Sequence, residues 1–451
     1  MTIYVRYVVV CWALAFAVAF SIHDARADTI LYDEGTAKLT AGAEVGVSYS
    51  KAGNVNFGFG IVDARTRKVR TPRATAVEGY LKPLITGEFA TPRGTAYGRL
   101  SAVTTFSRGD GDLGGGTQGN EEDWDIEEVM AGWRSGDLFP GLGKDALDIS
   151  VGAQDFKIGD GFLVYDGNTD AFGDAAAWLA PRNAFRQSAV ARFNAKPVGG
   201  DLFYLKADKE HDSAALWGAN GEYHQGDAFT VGVMYLDIVD AIDDLAVRDG
   251  LRTLDLRFHA KTIPGAPGFS LKGEYARQFG TGKTLEYDAV GWHLTGRYDY
   301  KFGDWPVFVR YRYARFSGDN PNTADRELFD PLFVGYSEYG DWYQGELMSQ
   351  QALVNANQRH HMLHVGAWPR EWLRFDLMYW QFDLDRKQFL GVNTAARHFA
   401  DEVNLSAEVF LNETSSLGAL ASVAFPGDAA RQSLGNNKPF WALEFFAIYN
   451  F

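Results

Sequence analysis

The chain has almost no cysteine, no long apolar stretch beyond its start, and no surplus of positive charge. Each shortage excludes a class of protein. Among 451 residues there is one cysteine, Cys11. Disulfide scaffolds and thiolate metal sites are therefore excluded. Beyond residue 27 no run of 18 apolar residues occurs, so no spanning helix is expected. The formal net charge is -15, which argues against a nucleic-acid partner. Mean hydropathy is -0.22, a value that looks soluble. A transmembrane β-barrel gives the same value, because only alternate residues face lipid.

What is present begins with "MTIYVRYVVVCWALAFAVAFSIHDARA". A positive head, a short apolar run from Tyr7 to Phe20 and a small-x-small exit describe a secretory signal peptide. Residues 1–27 are expected to be cleaved after Ala27. That leaves 28–451 as one exported domain without cysteine.

Beyond the leader the dominant signal has period two. In "EVNLSAEVFLN", Val403, Leu405, Ala407, Val409 and Leu411 alternate with Glu402, Asn404, Ser406, Glu408 and Asn412. In "LRFDLMYW", Leu373, Phe375, Leu377 and Tyr379 alternate with Arg374 and Asp376. Such alternation means strands with one apolar and one polar face. The connectors also alternate. Short turns such as "TPRG", "HQGD", "KFGDWP" and "WPRE" are interleaved with longer, more acidic connectors, 108–123, 159–183, 239–249, 318–352, 386–399 and 427–439. The pattern predicts strands at 36–64 (bent or broken near Gly53), 75–90, 95–108, 123–135, 146–158, 184–195, 201–209, 214–223, 227–238, 250–262, 268–279, 285–301, 306–317, 353–368, 371–385, 399–411, 416–426 and 440–451. The count is eighteen, with sixteen or twenty as alternatives.

Aromatic residues make up 14% of the chain and gather at strand ends, as interfacial girdles do. In a bilayer every backbone polar group needs a partner, so such a sheet must close. The expected fold is all-β: a transmembrane up-and-down antiparallel β-barrel, integral in the outer membrane of a Gram-negative bacterium. Outer-membrane lipid and lipopolysaccharide would surround it. The last stretch, "FWALEFFAIYNF", should turn Phe451, Tyr449, Phe445 and Trp441 to lipid, and Asn450 and Glu444 to the lumen. Its terminal Phe451 with Tyr449 resembles the recognition signal of the barrel-assembly machinery.

No catalytic constellation emerges. "GTGKT" at 280–284 lacks the first glycine of a phosphate loop, since position 277 is Arg277, and no helix comes after it. His360 and His364 share a strand face but lie about 13 Å apart at strand rise, too far to share a metal. The acidic connectors lack the spacing of a helix–loop–helix calcium site and read as solvated surface, with weak Ca²⁺ binding as the alternative. No cofactor, metal or enzymatic activity is expected. The lumen carries more information. Strand parity turns Arg186, Arg192, Arg257, Arg297, Arg310, Arg312, Arg374 and Lys272 inward, together with Asp255, His259, Glu274, His293 and Asp376. Forked guanidinium donors suit carboxylate groups, so these residues are candidates for holding an anionic solute in transit. Ordinary cross-lumen ion pairing is the competing reading.

Three patches carry a family resemblance: "VGAQDFKIGDGFLVYDGNTD" (151–170), "YARFSGDNPN…ELFDPLFVGYSEYGDWYQGEL" (313–347) and "AFPGDAA" (424–430). There the chain resembles the alginate-export family of outer-membrane porins. The resemblance implies an eighteen-stranded barrel with an arginine-containing conduit for an anionic polysaccharide, narrowed by infolded loops. Gly418, Leu420 and Gln344 stand where the exporter carries arginines, so the fold carries over better than the substrate. The alternatives are a general or small-anion uptake porin, and a structural or adhesive barrel.

Overall fold

The computed structural model describes residues 29–209, 214–242, 247–282, 285–335 and 344–451. The expected leader, 1–27, lies outside them. So do Asp243 and Asp244 of one acidic connector, part of "GTGKT" and residues 336–343.

The chain forms β1 (Thr29–Glu34), β2 (Ala37–Gly53), β3 (Arg73–Thr91), β4 (Gly94–Gly109), β5 (Glu121–Arg134), β6 (Leu147–Gln154), β7 (Phe185–Ala195), β8 (Val198–Lys206) and β9 (Ala215–Gln225). It continues with β10 (Phe229–Asp240), β11 (Arg252–Ala260), β12 (Phe269–Thr281), β13 (Glu286–Phe302), β14 (Trp305–Phe316), β15 (Gln358–Arg370) and β16 (Leu373–Leu384). A small surface hairpin, β17 (Gln388–Phe389) and β18 (Val392–Asn393), precedes β19 (His398–Phe410), β20 (Ser416–Pro426) and β21 (Phe440–Asn450). From β2 onward each barrel strand pairs antiparallel with the next, and β21 returns to β2. This is a closed eighteen-strand barrel. The last rung is reciprocal: Ala43 N–H donates to Phe451 O at 2.7 Å, and Phe451 N–H donates to Ala43 O at 3.0 Å.

The predicted strands match closely. Two differences have plain causes. The first barrel strand ends at Gly53, where a bend or break is expected, and does not resume to 64, because Asn54, Asn56 and Phe57 adopt positive φ and turn the chain inward. The hairpin strand β1 has no counterpart in the predicted pattern. "TILYDE" shows no alternation, and all six residues are exposed. At the turn end of the barrel, glycine is required at Gly94 (φ 110°), where a Cβ would lie 2.2 Å from the Arg134 carbonyl.

Parity sets the two faces. Leu81, Leu100, Val151, Val233, Leu256, Leu377 and Leu405 point outward and are exposed, which is the apolar belt that lipid covers. Phe89, Phe193, Phe302 and Trp372 ring its turn end, and Trp124, Trp217 and Phe425 its loop end. Beyond the belt, outward ion pairs such as Arg277–Asp288 at 2.5 Å replace hydrocarbon. Among the described residues no helix is long and apolar enough to cross a membrane.

The long connectors fold into the barrel. Phe156, Phe162, Leu163 and Val164 of connector 155–184 pack with Phe329 and Phe333 of connector 317–357 against inward strand residues such as Phe203, Leu236 and Phe316. A second apolar cluster joins Phe57, Leu347, Met348 and the short helix Asp428–Leu434 to Trp380, Phe382 and Phe440. Removing these rings from water supplies the driving force for infolding, at about 25 cal/mol per Å².

Candidate functional site

The barrel interior is built from the strand rungs inward. On β11–β16, directly opposed residues place Arg297 beside Arg310, Thr295 between Lys272 and Arg312, and Arg257 beside Glu274. One barrel wall therefore gathers six of the eight predicted residues: Arg257, Lys272, Arg297, Arg310, Arg312 and Arg374. The other two lie apart on β7. There Arg186 pairs with Asp125 at 2.8 Å and Asp208 at 3.3 Å, and Arg192 with Asp201 at 3.4 Å. All eight are inward by parity.

Ion pairing is extensive on the basic wall. Arg257 donates to Glu222 at 2.6 Å and to Asp255 at 3.2 Å. Arg374 lies 2.8 Å from Asp376, which also bonds His364. Arg297 lies 2.6 Å from Asp299, and Arg312 donates to Thr295 at 3.0 Å. Lys272 reaches Asp160 at 2.6 Å. Asp160 belongs to connector 155–184, so that contact pins the infolded connector to the basic wall.

Three guanidinium groups also rest on aromatic faces that parity alone does not single out. Arg297 lies 4.0 Å and Arg310 5.2 Å from the centroid of Phe308, and Arg374 lies 5.2 Å from Trp368. Phe308 and Trp368 are themselves 5.6 Å apart. Phe308 shares its inward parity with Arg310 in "VFVRYRY", so its place is legible in the alternation. Trp368 lies in the irregular end of β15, where the register shifts and parity no longer applies.

The opposite wall belongs to carboxylates. Connector 155–184 crosses the lumen and is held at β3–β5. Glu78 accepts from Trp178 N–H at 2.9 Å, and Glu127 accepts from Asn183 N–H at 2.7 Å and Ala184 N–H at 2.9 Å. Lys82 donates to Pro181 O at 2.9 Å. Arg182, buried, pairs with Asp170 at 2.8 Å. In mid-lumen the two connectors meet: Tyr165 N–H donates to Phe333 O at 2.9 Å, and Phe333 N–H to Leu163 O at 3.0 Å. Within connector 317–357, burial alone would push the Asp330 carboxyl up, but the paired Arg248 guanidinium, with Leu332 N–H, holds it below the ordinary carboxylate range. Burial and the neighbouring Asp170 push Asp166 well up. Among the described residues no cluster of ligand side chains has metal-binding geometry.

No protein-family model matches the chain, and no curated protein sequence matches it. Solved structures do. Pseudomonas aeruginosa OccK2 (OpdF) aligns with a TM-score of 0.58 at 10% identity, covering 91% of this chain and 97% of that one. Acinetobacter baumannii OccAB2 aligns with a TM-score of 0.56 at 10% identity, covering 92% and 98%. Pseudomonas aeruginosa OpdK, an outer membrane protein, aligns with a TM-score of 0.54 at 12% identity, covering 92% and 98%. At these identities the likeness is one of fold. The expected kinship with alginate-export porins is overturned: the matching structures named above are Occ/Opd porins. Among the described residues, the three patches behind that expectation begin on the ends of β6, β14 and β20 and continue into the connectors 155–184 and 317–357 and the short helix at 428–434. The closed barrel with its apolar belt is an integral outer-membrane architecture.

Proposed function

We propose that this barrel is a passive uptake channel for small solutes, with a preference for anions, and that it catalyses no reaction. The observation that carries the reading is the stacked array on the basic wall. Arg297, Arg310 and Arg374 are held against Phe308 and Trp368. A guanidinium resting on a ring face gains cation–π attraction and loses little side-chain freedom on meeting a ligand. Its fork suits a carboxylate. Several such groups in succession let an anion move on without being trapped. The infolded connectors support a small solute: two apolar clusters occupy space that a polymer would need.

The test is a reversal potential in planar bilayers under a salt gradient. Wild type should favour the anion, and the triple variant Arg297→Met, Arg310→Met, Arg374→Met should move the potential toward the cation side. A wild-type potential that already favours cations would falsify the anion preference. Liposome swelling with matched carboxylate and amine solutes gives an independent measure of the same preference.

A further inference from the structure

On the outer face of β10–β16, two rungs of backbone pairing lead from hydrocarbon to charge. One runs through Val231, Phe258, Gly273, Leu294, Tyr313 and His361. The next rung toward the loop end runs through Leu256, Tyr275, Trp292, Arg315 and Arg359. At the apolar end Gly273 puts no side chain on this face. A Cβ there would lie 2.8 Å from the Phe258 ring. The space it leaves is a groove of about 500 Å³, with Val231, Leu256, Phe258, Tyr275, Trp292 and Leu294 as its outward lining. The groove crosses β10 to β13, three interstrand spacings or about 14 Å. Its Trp292 and Leu294 border β14.

At the charged end Arg315 and Arg359 stand directly opposite each other. Like charges so placed repel. Both Nε groups donate to the same oxygen, Asp385 Oδ1, at 2.8 and 2.6 Å. The Asp385 side chain is 2% exposed, while those of Arg315 and Arg359 are 37% and 36% exposed. One buried negative charge thus sits behind two positive ones that reach the surface. Asp383, across from Arg359, is taken by His398 at 3.3 Å. Among the described residues Asp385 is the only carboxylate that either arginine meets. Beneath the pair lies an aromatic shelf. The Tyr313 ring is 4.8 Å from His361 and 5.3 Å from Trp292, and the Tyr311 hydroxyl lies 2.7 Å from His361 Nδ1. Tyr and Trp gather at headgroup level, and the long connectors mark this end as the outer leaflet.

We propose that this face binds one phosphorylated lipid of the outer leaflet, the lipid A of lipopolysaccharide, with a phosphate on Arg315 and Arg359 and an acyl chain in the groove over Gly273. Guanidinium forks suit phosphate oxygens, and a bound phosphate offsets the repulsion between them. The groove adjoins the pair and continues into the apolar belt, so headgroup and chain meet matching surfaces of one lipid. A second copy fits less well, because a two-fold contact through this face would bring two arginine pairs together. The site lies outside the lumen and does not depend on the channel reading.

The experiment titrates the lipid-free, full-length barrel in detergent with bisphosphorylated lipid A and with its dephosphorylated form, and reads bound lipid by native mass spectrometry. The variants are Arg315→Gln with Arg359→Gln, Leu294→Trp to fill the groove, and Arg108→Gln as a control. Arg108 lies at the loop end of β4, distant in the sheet, and pairs with Glu122. Gel-mobility shift on heating confirms that each variant is a folded barrel. Wild type should bind one phosphorylated lipid and hold the dephosphorylated form about tenfold less tightly. The double variant should lose that preference. Leu294→Trp should weaken both lipids and keep their ratio, and Arg108→Gln should match wild type. A double variant that still prefers phosphate, or an equal loss in Arg108→Gln, overturns the phosphate site. Undiminished binding in Leu294→Trp overturns the groove as the seat of the chain. A wild type that forms dimers in place of lipid complexes, with the dimers lost in the double variant, overturns the proposal in favour of a contact between copies.

Discussion

Asp330 accepts Arg248 Nε at 2.9 Å and Nη2 at 2.8 Å, while its backbone binds both ends of the Gln278 amide. Asp330 thus ties connector 317–357 to β12 through its backbone and to the connector before β11 through its carboxylate. The acidic stretch 237–249 reads in the sequence as solvated surface. Arg248 departs from that reading because its guanidinium is buried. The pair sets a pH dependence. The folded Asp330 carboxyl lies below its ordinary value of 3.8, so it contributes stability above that value and loses it as pH falls through the folded one. Replacing Arg248 with Met leaves a buried charge uncompensated, at about 3–5 kcal/mol. Limited proteolysis of 317–335 should therefore quicken in the variant at neutral pH. As pH falls below the folded value of Asp330 the two proteins should become alike, since wild type has lost the same contact. Equal cleavage at neutral pH would show that the pair does not anchor the connector.

Among the elements, strands are readable in the sequence and connectors only partly so. A strand declares itself through neighbours two apart, and parity places all eight candidate lumen residues on the inner face. Infolding depends on contacts far apart in sequence, such as Phe162 with His293 and Phe329, at 5.9 and 6.0 Å. No local period records these. The length of 318–352, longer than closure requires, is legible. The pairing of Val164 with Phe333 is not. The two aromatic platforms divide in the same way: Phe308 can be read from alternation, and Trp368 cannot. Phe162 offers a test at this scale. Truncation to alanine removes a fully buried ring from the junction of two connectors, at about 3–5 kcal/mol locally. Phe162→Ala should widen the constriction and raise single-channel conductance while heat-modifiable mobility stays unchanged. Unaltered conductance would place the narrowing elsewhere in the lumen.

For the whole molecule the decisive step is closure, in which Phe451 extends the β2–β21 pairing by one rung. Phe451 exchanges two backbone bonds with Ala43, and its ring lies 5.9 Å from Tyr449. The inward and outward residues of this strand are as its alternation predicts: Glu444 is buried toward the lumen and Leu443 exposed toward lipid. Deleting Phe451 removes one closing rung as well as the proposed assembly signal. The expected outcome is less heat-modifiable barrel in the outer membrane fraction. A full yield would mean that the other β2–β21 rungs are enough and that the terminal ring carries no address.

The short strand β1 gives the seam one more property. β21 leaves β2 at Ala43, and β1 takes up the same edge at Ala41, pairing down to Ala37. Without it, the lower end of β2 would present bare amides and carbonyls beside an apolar face, which is a template for a neighbouring chain. With it, the outermost edge is six residues long, broken by a register shift and ended by Asp33 and Glu34. A short, irregular, charged margin resists strand-to-strand pairing between molecules. The hairpin that adds nothing to the pore thereby keeps one barrel from being stitched to the next.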